Sequence, residues 1–139
     1  MSKYNSKKVS YQWLVFDSNV EMDYYRLLET MLVKKEISWI VIQPEYILTP
    51  SFEKNWIKYR PVKYIADFEY LDKKWVKKVV DIKWMATAEA KMKRKLFNFF
   101  YRDIELLRLV KFKWEWVDYD LNEKRKSFNR REKKKIKLS

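Results

Sequence analysis

The sequence predicts one α/β domain built on a mixed central β-sheet flanked by helices, in the order β-α-β-β-β-α-β-β. Three observations predict it. Two segments carry a helical apolar period behind hydroxyl caps. Six short runs rich in β-branched and aromatic residues lie around them. The 139 residues, 47% hydrophobic and 18% aromatic, suffice for a single buried core. No internal repeat is visible.

The first strand is read at residues 9–16, VSYQWLVF. Ser18-Asn19-Val20-Glu21 then has capping-box spacing, a hydroxyl with a carboxylate three residues on. Tyr25, Leu28 and Leu32 continue a stripe that starts at Glu21, and Lys34 and Lys35 suit the C-terminal end of the helix dipole. Residues 37–48 form a strand broken at Gln43-Pro44. Residues 49–58 read as a polar connection. A hairpin follows, 60–71 and 75–83, turning at Asp72-Lys73-Lys74. Thr87 caps a second helix to about Phe100, with Ala88, Met92, Leu96 and Phe99 as its apolar stripe. Its basic stripe is Lys91, Arg94, Lys95, Asn98 and Arg102. Residues 103–110 and 112–118 are the last strands, the second alternating Lys113 and Glu115 with Phe112, Trp114 and Trp116. Residues 1–120 thus make the folded domain. Residues 121–139 hold nine Lys or Arg against two Glu, +7 of the chain's +13, and read as a basic, disordered tail.

Composition narrows the chemistry. The net charge of +13 makes a polyanion the first partner to consider, whether nucleic acid or an anionic membrane surface. No apolar run reaches the roughly 18 residues that span a bilayer. No signal-peptide core opens the chain, so a cytoplasmic protein is expected. Without cysteine there are no disulfides or thiolate metal sites, and without histidine no His-based acid–base chemistry or triads. Without glycine there is no Walker, Rossmann or Gly-rich phosphate loop, hence no nucleotide cofactor. Any catalysis must use carboxylates, amines, hydroxyls and a hard metal. The missing glycine also leaves positive-φ positions to Asn or Asp, with Asn55, Asp72 and Asn122 as candidates. An AT-rich coding sequence is the bland explanation for the missing glycine, one that invokes no function.

Asp67 interrupts one strand, and Asp81 and Lys83 close the next. Four D/E-x-K matches occur: Asp72/Lys74, Asp81/Lys83, Glu89/Lys91 and Glu132/Lys134. Chance alone predicts roughly three, so spacing decides nothing. Placement decides: only Asp81/Lys83 ends a strand beside another acid. Residues two apart share a strand face, so Asp81 and Lys83 point the same way, and a turn near 72–74 sets Asp67 across from Asp81. Two such carboxylates repel unless a cation lies between them. Mg²⁺ takes oxygen ligands of this kind and activates water against a phosphate. Lys83 would orient that nucleophile or stabilise the transition state. The competing reading is a charged hairpin face turned to solvent. Glu21 weighs against it, because its helix stripe faces the sheet and an inward carboxylate needs a partner.

In chain order, FDSNVEMDYYRLL, IQPEYIL, YIADFEY, VVDIKW and KMKRKLF resemble the PD-(D/E)XK nuclease superfamily. More closely, they resemble a group of small phage-encoded members described as endonucleases or Holliday-junction-resolvase-like proteins. The resemblance spans about residues 5–110. It implies a restriction-endonuclease-like fold, with Glu21, Asp67 and Asp81 as the acidic metal site and Lys83 as the catalytic lysine. Gln43 matches a recurrent strand position. Trp84 stands where relatives commonly carry glycine.

A phage-type endonuclease is therefore expected, cutting branched or junction DNA during recombination or replication in the host cytoplasm. It would use Mg²⁺, with Mn²⁺ substituting, and act as a homodimer through the aromatics at 112–117. Lys91, Arg94, Lys95, Arg102, Trp84 and Gln43 would contact DNA, with Trp56 a further candidate and the tail embracing it nonspecifically. The alternatives are a non-catalytic nucleic-acid-binding protein on the same fold, and a phage protein that inhibits a host factor.

Overall fold

A computed structural model describes residues 8–82 and 87–138. It is a single-domain α/β fold with a mixed sheet and three helices. The elements run β1 (Val9–Tyr11), β2 (Leu14–Phe16), α1 (Asn19–Val33), β3 (Ile37–Ile42), β4 (Glu45–Thr49), β5 (Phe52–Lys54) and β6 (Ile57–Tyr59). They continue with β7 (Val62–Ile65), β8 (Phe68–Asp72), β9 (Lys77–Ile82), α2 (Ala88–Phe100), β10 (Glu105–Phe112), β11 (Glu115–Asp118) and α3 (Tyr119–Leu138). The main sheet has the order β11-β10-β9-β8-β3. Only β9 and β10 pair in parallel, and the chain between them passes through α2.

Two cores lie on the two faces of this sheet. Phe68, Tyr70 and Val80 pack with Phe16, Tyr24 and Leu28 beneath α1. Val79 packs on the other face with Tyr46, Leu48, Tyr64 and Phe97 beneath α2. The period-2 alternation of Val79, Val80 and Asp81 therefore sends Asp81 to the α2 side. Tyr24 and Leu28 are the buried centre of α1, whereas Leu32, expected in the stripe, is exposed. On α2 the buried residue is Phe97, while Met92 and Phe99 face solvent.

Several expectations are corrected. Residues 9–16 form a hairpin, not one strand, because Gln12 and Trp13 both take positive φ and reverse the chain. Residues 49–58 contain the end of β4 and a second hairpin, β5–β6, turned by Asn55-Trp56. Lys113 and Trp114 form the β10–β11 turn and do not alternate within a strand. Residues 121–138, expected to be a disordered tail, are helical: α3 covers Tyr119–Leu138, none of it buried. Its start is fixed by the Asp118 carboxylate accepting from Leu121 N at 3.0 Å, and by Asp120 pairing with Arg108 at 3.1 Å. Glu123–Lys126 and Glu132–Lys135 pairs line its surface. The element order is accordingly richer than β-α-β-β-β-α-β-β, with eleven strands among the described residues. No helix among them is long and apolar enough to cross a membrane.

Candidate functional site

Two of the acidic residues singled out in the sequence, Asp67 and Asp81, face each other where β8 begins and β9 ends. Phe68 pairs with Val80 and Glu69 with Val79, a register that sets Asp67 opposite Asp81. Asp67 sits at the break between β7 and β8, held from both sides by its backbone. Its N–H donates to Val80 O at 3.0 Å, and its carbonyl accepts from Gln43 N at 2.9 Å. Gln43 is thus placed beside Asp67 by a main-chain bond at the β3–β4 break, where its own φ is 51°. The Asp67 carboxylate accepts from Ile82 N at 2.6 Å, which bridges it to the last residue of β9.

Asp81 is 5% exposed. Its Oδ2 accepts from the Tyr64 hydroxyl at 2.5 Å. Glu21 enters from α1, where Ser18 Oγ accepts from its backbone N–H at 3.2 Å, the bond of an N-cap. Its side chain is half-buried. Burial first, then the charges of Asp17 and Asp81, raise its pKa, while a hydrogen bond from the Asp17 backbone opposes them. Asp67 is pushed well above the ordinary carboxylate range by burial, then by the charges of Asp81 and Glu21. The Ile82 N–H works against that rise, and a hydrogen bond shared with Asp81 adds to it. Glu21, Asp67 and Asp81 therefore lie within each other's electrostatic reach. Among the described residues, no three acids stand as a finished metal cage. Lys83 and Trp84 lie outside the described residues.

Tyr64 and Arg108 belong to this neighbourhood and were not anticipated. Burial, then Asp81, push the Tyr64 hydroxyl pKa up, and the Arg108 guanidinium pulls it back. Arg108 on β10 is the register partner of Asp81 on β9. The alternation of β10 puts Arg108 inside, a signal present in LLRLV but weak beside 31 other Lys and Arg. A second buried acid, Glu69, shares the α2 face, bonded by the Tyr46 hydroxyl and 3.5 Å from Lys77 Nζ. Of the basic stripe on α2, Lys91, Lys95 and Arg102 are exposed. Arg94 instead turns inward, 4.0 Å from Asp120.

Fold and site together define a mixed-sheet α/β domain with a carboxylate cluster at the end of its central strands. The chain belongs to the family described as "Protein of unknown function (DUF1064)", whose model matches residues 1–115. No curated protein and no solved structure matches it.

Proposed function

We propose that this protein is a divalent-metal-dependent DNA endonuclease that hydrolyses phosphodiester bonds, with branched or junction DNA as substrate. The observation that carries the proposal is the register that sets Asp67 opposite Asp81, with Glu21 near enough for the Asp81 charge to raise its pKa. A cation between such carboxylates relieves their mutual repulsion. All are hard oxygen donors, the set Mg²⁺ and Mn²⁺ take.

In this reading Asp67 and Asp81 hold the cation, and Glu21 completes its acidic surroundings. A divalent ion there supplies Lewis-acid polarisation of a phosphate and a more acidic bound water. The Tyr64 hydroxyl holds one oxygen of Asp81 in place. The Ile82 N–H does the same for Asp67. Lys83, two residues past Asp81, would orient the nucleophile or offset charge on the transferring phosphoryl group. Exposed Lys91 and Lys95 on the helix that follows, and Arg102 just past its end, would hold backbone phosphates. A homodimer would let two strands be cut together.

Calorimetric titration with Mg²⁺ and Mn²⁺ tests this. The wild type should bind, and Asp81→Asn should lose most of the affinity. A second reading, a non-catalytic nucleic-acid-binding protein on the same fold, is favoured by the lack of a finished three-acid cage among the described residues. DNA affinity without any divalent-metal binding would select it.

A further inference from the structure

Building on the nucleic-acid reading, we infer that Arg94 and Arg108 form a phosphate-binding pair beside the acidic cluster, filled in the free protein by Asp120. Arg108 is 4% exposed and stands in register with Asp81. Its Nη1 lies 3.1 Å from Asp120 Oδ1, and Arg94 Nη1 approaches the same oxygen at 4.0 Å. Arg108 Nε and Arg94 Nη1 are buried with no hydrogen-bond partner. Interior guanidinium donors left unpaired are unfavourable. A single carboxylate oxygen underfills two guanidinium forks, whereas a phosphate offers several oxygens to both. The Asp120 side chain is 59% exposed, in the first turn of a helix with no buried residue. Exchange for a phosphate would release the ion pair that anchors the start of α3, with no buried residue of that helix to resist it.

The test is fluorescence anisotropy with labelled duplex and four-way-junction DNA in EDTA, where no cleavage occurs. Arg94→Gln should weaken binding about tenfold, the scale of one charge-assisted contact. Asp120→Asn should tighten it. Arg108→Lys, which keeps the charge but not the fork, should weaken binding while its circular dichroism stays that of the wild type. DNA binding by all three variants equal to wild type would overturn the pair and leave the nuclease reading standing. A wild type that neither binds nor cuts DNA would overturn both.

A different observation carries a second inference. Four of the six tryptophans among the described residues have positive φ: Trp13 (70°), Trp39 (60°), Trp56 (67°) and Trp75 (63°). For a bulky residue that region is a true outlier. Each of the four sits where glycine is the usual residue. Trp13 and Trp56 are second in the two-residue loops of β1–β2 and β5–β6, the latter an Asn-Trp where Asn-Gly is favoured. Trp75 follows a turn in which its N–H donates to Asp72 O at 3.0 Å and Asp72 N donates to Val76 O at 3.0 Å. That is a three-residue hairpin with its left-handed position at Trp75. Trp39 lies in the register shift between Ser38 and Val41, where a bulge takes left-handed glycine. All four rings are 69–103% exposed and pack into no core. Trp116 differs: it is partly buried, edge-on to Tyr24 at 4.9 Å. A 139-residue chain of ordinary composition carries about ten glycines, and this one has none.

We infer that the organism encoding this chain decodes these four positions as glycine, through a reassigned codon, and decodes Trp116 as tryptophan. Tandem mass spectrometry of the protein purified from that organism should read glycine at 13, 39, 56 and 75, and tryptophan at 116. The same spectra read out positions 84 and 114. Tryptophan at the four positions would overturn the inference. Recombinant protein gives an independent arm. The combined W13G, W39G, W56G and W75G chain should unfold at a higher temperature than the tryptophan chain, and W116G at a lower one. A lower melting temperature for the four-glycine chain would contradict the inference.

Discussion

Replacing Asp67 with asparagine should stabilise the metal-free protein, although it removes a proposed ligand. The amide oxygen of the new side chain can still accept the Ile82 N–H that Asp67 takes at 2.6 Å. What disappears is a charge opposed by Asp81 and Glu21. Opposed cross-strand side chains lie about 5 Å apart. At an effective dielectric of about 20, two unit charges there repel by about 3 kcal/mol. The wild type escapes part of this by taking up a proton, so a gain of about 1–3 kcal/mol is expected near neutral pH. The pH dependence has a definite sign. The folded-state pKa of Asp67 lies well above its ordinary 3.8, so folded chains keep a proton that unfolded chains release. That contribution is fully present below the unfolded value and is lost as pH climbs through the raised folded value. The advantage of Asp67→Asn should therefore be largest near neutral pH and nearly vanish at about pH 4. Urea denaturation in EDTA at the two pH values measures it. A variant less stable than wild type at neutral pH, or an advantage equal at both, would refute the reasoning.

Millimolar Mg²⁺ or Mn²⁺ should raise the wild-type melting temperature near neutral pH, less so in acid where Glu21 and Asp67 hold protons, and not in Asp81→Asn; differential scanning fluorimetry reads all three. Tyr64→Phe leaves a buried Asp81 oxygen without its hydroxyl donor and should lose about 1–3 kcal/mol in chemical denaturation. Ser18→Ala removes the α1 cap and should lose about 1 kcal/mol by the same assay, with metal affinity reduced if helix fraying lets Glu21 drift.

The acidic site was more legible than the strand count. A D-x-K at a strand end, a turn at 72–74 and a run interrupted at Asp67 together determine a register, and that register sets Asp67 opposite Asp81. The Ser18 cap likewise fixes where α1 begins, and so which turn presents Glu21. The small hairpins were hidden for a definite reason. Gln12-Trp13 and Lys113-Trp114 carry no glycine, proline or Asn-Gly signal, so nothing marked a reversal. Helix α3 was hidden because it is polar all round. Its few apolar residues, Leu121, Phe128, Ile136 and Leu138, all stay exposed, and its order comes from ion pairs and its anchor on Arg108, contacts that local sequence does not announce. Tyr64 was read only as part of a strand, since a tyrosine becomes a site residue only when a buried carboxylate faces it.

The central claim is tested most directly by cleavage. Wild-type protein and Asp81→Ala are incubated with four-way-junction, flap, nicked and linear duplex DNA, in Mg²⁺, in Mn²⁺ and in EDTA, and the products are resolved on denaturing gels. The account predicts metal-dependent cuts by the wild type, strongest on the junction, and at least about a hundredfold loss in Asp81→Ala. Cleavage by Asp81→Ala at the wild-type rate, or no cleavage of any substrate by the wild type with either metal, would contradict it.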